Sequence, residues 1–411
     1  MKENLTSVQG ALTRAQTLAA EFATTYPVRD RRNEFPAEEM TTLKASGLLA
    51  LPVPMEYGGL GAACPDIIRA VMTLATGNPS VAQMFAVHCI LGAVFVGDFA
   101  SETQKQRLFG DIVNKNVFLG NASAERQAKH LYAFETTFIP TPANDGVRIN
   151  GRKFFSTGAR AGDVLLIIGM LNKNIAAAFV PHNADGLIIH HDWDSMGQRG
   201  TASGTTDLHD VFAPWDMVIS RFVEVGYDKG GIDPNSFFGP IFQTCLASIF
   251  VGAAKGALQQ AVHYVKTKTR PLPWPGSGVT TAVEDHYILQ EVGKMSAHLL
   301  AAESLIDKAA EIVDRTMGLR GKVDGEELMR RRAEASVTVS HAKVVATEVA
   351  LRVCQDIFQV CGARAAMAEE DMDRFWRDVR TLTLHDPVTY QARAIGEYLL
   401  QGKLPVPGFR H

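Results

Sequence analysis

The chain has 411 residues, 46% of them apolar, with a formal net charge of −3. That much apolar material fills two or three domain cores, and a small net charge of mixed sign gives no electrostatic basis for nucleic acid or an anionic membrane as partner. Five scattered cysteines (Cys64, Cys89, Cys245, Cys354, Cys361) contain no C-x-x-C pair and read as reduced thiols.

Residues 1–116 carry apolar positions at intervals of three and four and predict a helical domain, with breaks at Pro27, Pro36, Pro52 to Pro54, Gly58-Gly59 and Pro79. The first twenty residues are polar and helix-patterned, with no apolar signal core. Glu102 to Lys105 opens a further helix. No apolar run approaches the roughly 20 residues of a membrane span, so a cytoplasmic protein is expected.

Residues 117–228 read as β structure. Val147–Ile149 and Lys153–Phe155 flank Asn150-Gly151, a dipeptide suited to a tight hairpin turn. Short apolar runs follow at Val164–Ile168, Ile175–Val180 and Gly186–His190. Met196 to Val211 is too rich in Gly, Ser and Thr for a helix interior. A small antiparallel barrel or sandwich is expected.

Residues 229–411 return to helix. Val283–Met317 has no proline and one glycine, and Glu326–Ala366 is similar. Such lengths suit a bundle of long helices, four in the simplest arrangement. Cys354 and Cys361 share a helix face as core filler, and Gly362 ends that helix. The whole is an α+β, multi-domain chain.

Chemistry-bearing segments lie at the joins. Gly120-Asn121-Ala122-Ser123-Ala124-Glu125 offers an amide and a hydroxyl that can pair with a heterocycle edge carrying both donors and acceptors; the plain alternative is a strand-entry turn. Lys153-Phe154-Phe155-Ser156-Thr157-Gly158-Ala159 presents a hydroxyl that does not titrate at neutral pH. Asp192-Trp193-Asp194-Ser195-Met196-Gly197-Gln198-Arg199 and Thr201-Ala202-Ser203-Gly204 place an indole in a Gly-rich loop. Thr269-Arg270-Pro271 and Cys361-Gly362-Ala363-Arg364 put guanidinium groups just after helices, where a phosphate would suit them. His88 is an isolated histidine on an apolar helix, ordinarily a satisfied core residue. Leu384-His385-Asp386-Pro387-Val388 sets His and Asp just before a proline that defines a helix start. No G-x-G-x-x-G follows a strand, and neither a P-loop nor H-E-x-x-H occurs. His190 and His191 face opposite ways on a strand, so no metal is expected.

In this order the segments resemble the acyl-CoA dehydrogenase superfamily over nearly the whole chain. Gly-Asn-Ala-Ser, Ser-Thr-Gly and His-Asp-Pro resemble its flavin-dependent monooxygenases of the dibenzothiophene and sulfur-acquisition sulfone type. The resemblance implies a flavin between the β domain and the bundle, with Asn121, Ser123, Ser156 and Trp193 around its ring. It also implies a homotetramer in which Arg270, Gly362, Ala363 and Arg364 reach a neighbour's flavin phosphate. His385 would be the main catalytic group, joined by Ser156 and His88. Reduced FMN, with FAD the alternative, would come from a separate NAD(P)H:flavin reductase. Molecular oxygen would give a C4a-hydroperoxyflavin that oxygenates a small organic substrate at thiophene, sulfone or sulfinate sulfur.

Two departures bear on substrate: Leu382 stands where a second histidine is common, and Arg126-Gln127 replaces the usual pair. A dehydrogenase and an indole or nitrogen hydroxylase on the same scaffold are the alternatives. A dehydrogenase needs a carboxylate base. Residues 234–283 contain no Asp or Glu, which leaves Asp386.

Overall fold

The three-and-four apolar pattern of the first zone folds into α1 (Val8–Arg32), α2 (Ala37–Ala45), α3 (Cys64–Gly77), α4 (Pro79–Cys89), α5 (Gly97–Phe99) and α6 (Glu102–Lys115). A π-helical stretch, Ile90–Val96, joins α4 to α5. The computed structural model describes residues 5–126, 133–223, 236–271, 278–408 and 411; Gln127 and the expected boundary at 228/229 lie outside them.

Local chemistry sets the helix ends. Ser101 and Gln104 form a reciprocal capping box on α6. The Asn78 side chain accepts from the Ser80 and Val81 N–H groups, with Pro79 in the first turn of α4 where its missing donor costs nothing. Pro27, expected to break the first helix, lies inside α1. Tertiary contacts on both sides of it override the local penalty: Tyr26 is buried under Phe375 and Arg374, and Asp30 is held by Arg377 at 2.6 Å.

The middle zone is an eight-stranded sheet of β1 (Leu119–Ala122), β2 (Thr137–Pro140), β3 (Gly146–Lys153), β4 (Val164–Leu171), β5 (Asn174–Pro181), β6 (Leu187–Ile189), β7 (Thr206–Pro214) and β8 (Val218–Val223). The path is β6-β7-β3-β2-β4-β5-β8, with β1 also on β4. The sheet is mixed, where an antiparallel one was expected. β1 and β2 both run parallel to β4, because each approaches it through a long connection and not a hairpin.

Asn150-Gly151 is likewise not a turn. It lies within β3, at an irregularity in the pairing with β7 between Ile149 and Gly151. A Cβ on Gly151 would fall 2.3 Å from Thr136 Oγ1, so the glycine admits the chain entering β2. The turn between β2 and β3 is closed instead by Thr141 N–H donating to the Gly146 carbonyl at 3.0 Å.

The last zone forms α7 (Phe238–Thr267), α8 (His286–Met317), α9 (Gly325–Cys361), α10 (Arg374–Thr383) and α11 (Val388–Gln401). Its apolar faces join those of the first zone in one continuous core, whereas the sheet interior (Val147, Ile149, Ile167, Val180 and neighbours) forms a second. α3 and α7 approach closely at Gly252 and Gly256, where an added Cβ would lie 2.3 Å from the Met72 and Thr76 carbonyl oxygens respectively. Two helical stretches, Pro79–Phe99 and Phe238–Thr267, are long and apolar enough to cross a membrane, contrary to the expectation from apolar runs. Their most apolar windows are 78% and 83% buried in the fold, so both serve as core helices.

His88 belongs to this framework. Its ring is fully buried and stacks on Phe118 at 5.1 Å. Leu119 N–H donates to Nδ1 (3.1 Å), and Nε2–H donates to the Leu49 carbonyl (3.0 Å). Both nitrogens are committed to main chain, tying β1 to the turn at Leu48–Ala50, instead of being offered to a substrate. Burial pushes its pKa down to about 4.

Gly252→Val should cost about 2 kcal/mol or more by overpacking the α3–α7 crossing, read as a lower urea midpoint. His88 stays neutral in the fold while an unfolded chain takes up a proton below about pH 6.5. Stability should therefore fall by about 3 kcal/mol as pH drops from 6.5 towards 4. Urea titrations of His88→Gln should lack that share of the acid loss.

Candidate active site

The expected site residues fall into three groups, each on its own elements. The first is on the sheet. Asn121 N–H donates to the Thr157 carbonyl at 3.1 Å, and its side-chain oxygen accepts from Ser123 Oγ. Thr157 Oγ1 and Ser203 Oγ are 2.9 Å apart, and Ser203 donates onward to Thr201 Oγ1 at 2.8 Å. Ser156 sits in the middle of this hydroxyl-rich wall. Its N–H donates to the Gly204 carbonyl at 3.3 Å. Its Oγ is buried without a hydrogen-bond partner among the described residues, a cost unless something else fills the role.

A buried ion pair not anticipated from sequence supports this wall. Lys153 Nζ meets Glu125 Oε1 at 2.5 Å and donates to the Ser123 carbonyl at 3.1 Å. Glu125 also accepts from the Glu135 and Thr136 N–H groups at 2.6 and 3.1 Å. Burial lowers the Lys153 ammonium to about 8, against the pull of Glu125. Both residues stand in the quoted motifs, and their opposite charges 28 positions apart were the available signal.

Trp193 adjoins the wall. Its indole N–H donates to the Gln198 carbonyl at 2.9 Å, and its ring meets the Phe155 ring edge-on at 5.9 Å and Phe154 at 6.2 Å. Phe155 is half exposed and adopts a left-handed φ of 55°, a strained conformation for an aromatic residue.

The second group is at the α10–α11 turn. Pro387 is the N-cap residue of α11, and no side-chain hydrogen bond caps that helix. Asp386 Oδ2 lies 3.1 Å from His385 Nδ1 and accepts from Gln243 Nε2 at 2.9 Å. Lys343 Nζ donates to Gln243 Oε1 at 2.6 Å and lies 4.0 Å from Asp386. Gln243, Lys343 and Asp386 are buried, while the His385 side chain is 44% exposed. Burial would raise the Asp386 carboxyl, but the bond from His385 and the charges of His385 and Lys343 hold it well below the usual carboxylate range. Phe242, next to Gln243 on α7, meets the His385 ring edge-on at 5.2 Å.

The third group joins two segments 92 positions apart. Thr269 Oγ1 donates to the Cys361 carbonyl at 3.3 Å, and Arg364 donates to the Lys268 carbonyl. Arg270, Gly362, Ala363 and Arg364 all lie exposed on this corner, and Gly362 ends α9 with a φ of 80°. A basic, glycine-opened corner of this kind suits a phosphate.

Two cavities lie elsewhere. One of about 560 Å³ is lined by residues of α1, α3, α7 and α8, among them Arg69, Lys255 and Glu303. An apolar one of about 220 Å³ is lined by Cys64, Cys89, Ile241 and Cys245 among others.

The donor set can be tested against a flavin. A buried hydroxyl lacking a partner, an amide and a hydroxyl beside it, and a nearby indole match the edge of a ring system that both donates and accepts. The residues fit.

Comparison with known proteins agrees. Residues 12–116 match the acyl-CoA dehydrogenase N-terminal domain and residues 244–390 its C-terminal domain. The dibenzothiophene monooxygenase of Mycolicibacterium goodii is 36% identical, across 96% of this chain and 94% of that protein. FMN-bound TdsC from Paenibacillus sp. A11-2 superposes with a TM-score of 0.88 at 33% identity, covering 98% of this chain and all of the other. Methanesulfinate monooxygenase MsuC from Pseudomonas fluorescens gives a TM-score of 0.86 at 31% identity, over 97% and 99%. The chain belongs to the acyl-CoA dehydrogenase superfamily and, within it, to the flavin-dependent monooxygenases.

Proposed function

We propose that this protein uses reduced FMN and molecular oxygen to oxygenate a small organic molecule at sulfur, of the thiophene, sulfone or sulfinate type. The observation that carries the reading is the His385–Asp386 pair. Asp386 accepts from Nδ1, and Nε2 has no hydrogen bond among the described residues on a side chain that is 44% exposed. An imidazole so held can donate or take a proton at Nε2. The dehydrogenase alternative asks Asp386 to abstract a proton. A carboxylate held well below its usual range and bonded on the same oxygen by two neighbours is a weak base, which disfavours that role.

Reduced FMN, when bound, supplies the electrons that activate oxygen. Asn121, Ser123, Ser156 and Trp193 would hold and orient its ring, with the Ser156 hydroxyl as a neutral donor. Phe154, Phe155 and Phe242 would keep water away from the reacting atoms. His385 would hold or move the proton at Nε2. His88 remains a structural link in this reading.

Arg270, Gly362, Ala363 and Arg364 would meet the FMN phosphate of a neighbouring subunit in a homotetramer. Large exposed apolar side chains on α8 and α11 (Tyr287, Leu300, Leu399, Leu400) are consistent with such an assembly. No nucleotide-binding motif is present for a nicotinamide, so a separate NAD(P)H:flavin reductase in the same compartment, taken as the cytoplasm, would supply the reduced flavin.

His385→Ala should lower sulfur oxygenation by about two orders of magnitude, the loss typical of one strong active-site hydrogen bond, about 3 kcal/mol. Oxygen uptake should continue as hydrogen peroxide release, measured with photoreduced FMN and a panel of sulfones, sulfinates and thiophenes. Acyl-CoA-dependent bleaching of bound flavin that survives in His385→Ala would establish the dehydrogenase instead. Arg270→Ala should weaken reduced-FMN binding several-fold at an unchanged melting temperature. An active, monodisperse monomer by light scattering with wild-type flavin affinity would remove the shared phosphate site.

A further inference from the structure

We infer that Lys343 and Gln243 are positioning residues for His385: acting through the Asp386 carboxylate, they fix which imidazole nitrogen carries the proton. The inference rests on the role given to His385 above. Its basis is a directed chain of hydrogen bonds crossing three elements. Lys343 on α9 donates to Gln243 Oε1 at 2.6 Å. Gln243 on α7 donates from Nε2 to Asp386 Oδ2 at 2.9 Å. The same oxygen lies 3.1 Å from His385 Nδ1.

The direction of the chain follows from the groups themselves. An ammonium has donors only, so it must meet the amide oxygen of Gln243, which turns the amide nitrogen towards Asp386. An ionised carboxylate has acceptors only, so His385 Nδ1 must carry a hydrogen. In the neutral imidazole Nε2 is then bare, and in the cation it is a donor. Removing the lysine leaves the amide its bond to the carboxylate and takes a positive charge from behind Asp386. The carboxylate then binds a proton more readily, and a protonated Asp386 can donate to a bare Nδ1, so the constraint on His385 is loosened without any change in the groups that touch it.

The arrangement is costly to build for packing alone. Lys343 and Gln243 are 1% and 0% exposed, and an ammonium that deep is tolerated only with partners. Lys343 has the amide oxygen, Asp386 at 4.0 Å, and the Phe250 ring face at 5.3 Å. Methionine would fill the same space without charge. Phe242, next to Gln243 on α7, lies edge-on against the His385 ring. α7 thus meets the His385–Asp386 pair at two points, the ring and the carboxylate.

The test uses the full-length protein with reduced FMN, and compares Lys343→Met, Asp386→Asn and the double variant. Product formed per oxygen consumed should fall about tenfold in Lys343→Met, with peroxide making up the balance and reduced-FMN affinity unchanged. Asp386→Asn/Lys343→Met should be no worse than Asp386→Asn alone, because the lysine acts only through the carboxylate. Long-range ¹H–¹⁵N spectra of histidine-labelled protein, with His385 assigned from its absence in His385→Ala, should show protonated Nδ1 in the wild type at high pH. Lys343→Met should show a mixture of tautomers.

An unchanged tautomer in Lys343→Met, or losses that add in full in the double variant, would overturn the inference. If Lys343→Met does not fold, Gln243→Met carries the same expectations for coupling and tautomer. A fully coupled His385→Ala would instead remove the functional reading, and the spectra would still decide the positioning role.

Discussion

Arg377 holds the three parts of this molecule in register. Its guanidinium reaches Asp30 at the end of α1 (2.6 Å), Asp371 (3.1 Å) and Asp373 (2.7 Å) ahead of α10, and the Met196 carbonyl in the Gly-rich loop (3.0 Å). Asp30 and Asp371 are buried, and burial together with Asp30 raises Asp371 to about 6. Removing one partner from such a cluster strands the others as uncompensated buried charge, typically a loss of about 3–5 kcal/mol. Next to it, Gln198 N–H donates to the buried carboxylate of Asp378. α10 is therefore clamped to both the helical domain and the loop that carries Trp193. Seven residues beyond Asp378 the chain reaches His385, so the placement of the turn that carries it depends on this clamp.

The two main groups of candidate residues are unlike. The sheet contributes neutral hydroxyls and an amide; the bundle contributes a histidine backed by a buried carboxylate, amide and ammonium. No acid of raised pKa faces outward from the α10–α11 turn, since Asp386 is held in its ionised form from behind. A scaffold shared with dehydrogenases thus presents an imidazole where proton abstraction from carbon would call for an unencumbered carboxylate. This is a difference of side-chain environment and not of fold.

Much of this was legible in the sequence, for identifiable reasons. Long proline-free stretches gave α8 and α9, continuous apolar runs gave β4 and β5, and Pro387 marked the start of α11. The motif residues form three local groups, each at the end of a regular element, where local chemistry is strong. What was missed depends on contacts between distant positions. Pro27 stays helical through the burial of Tyr26 and Asp30. Asn150-Gly151 has turn chemistry, but Thr136, 15 positions away, uses the glycine for close approach. Gln243 and Lys343 are ordinary polar residues on long helices, 143 and 43 positions from Asp386, and nothing in their neighbourhood marks them as partners. His88 read as an ordinary core histidine from its apolar helix and gained a catalytic role only from the resemblance; the bonds that occupy it come from main-chain atoms that no side-chain pattern reveals.

The common core of the first and last helical zones has a consequence for how the protein is made. The apolar faces of α3 and α4 close against α7, which the ribosome produces only after the entire sheet. At roughly 5–20 residues per second, the gap between the end of α3 at Gly77 and the end of α7 at Thr267 is roughly ten to forty seconds. During that interval the nascent chain carries exposed apolar helices and a sheet able to close on its own interior. Correct docking then requires the sheet to remain a self-contained excursion while the helices wait for their partner, which makes the early helical segment the part of the chain most in need of chaperone protection.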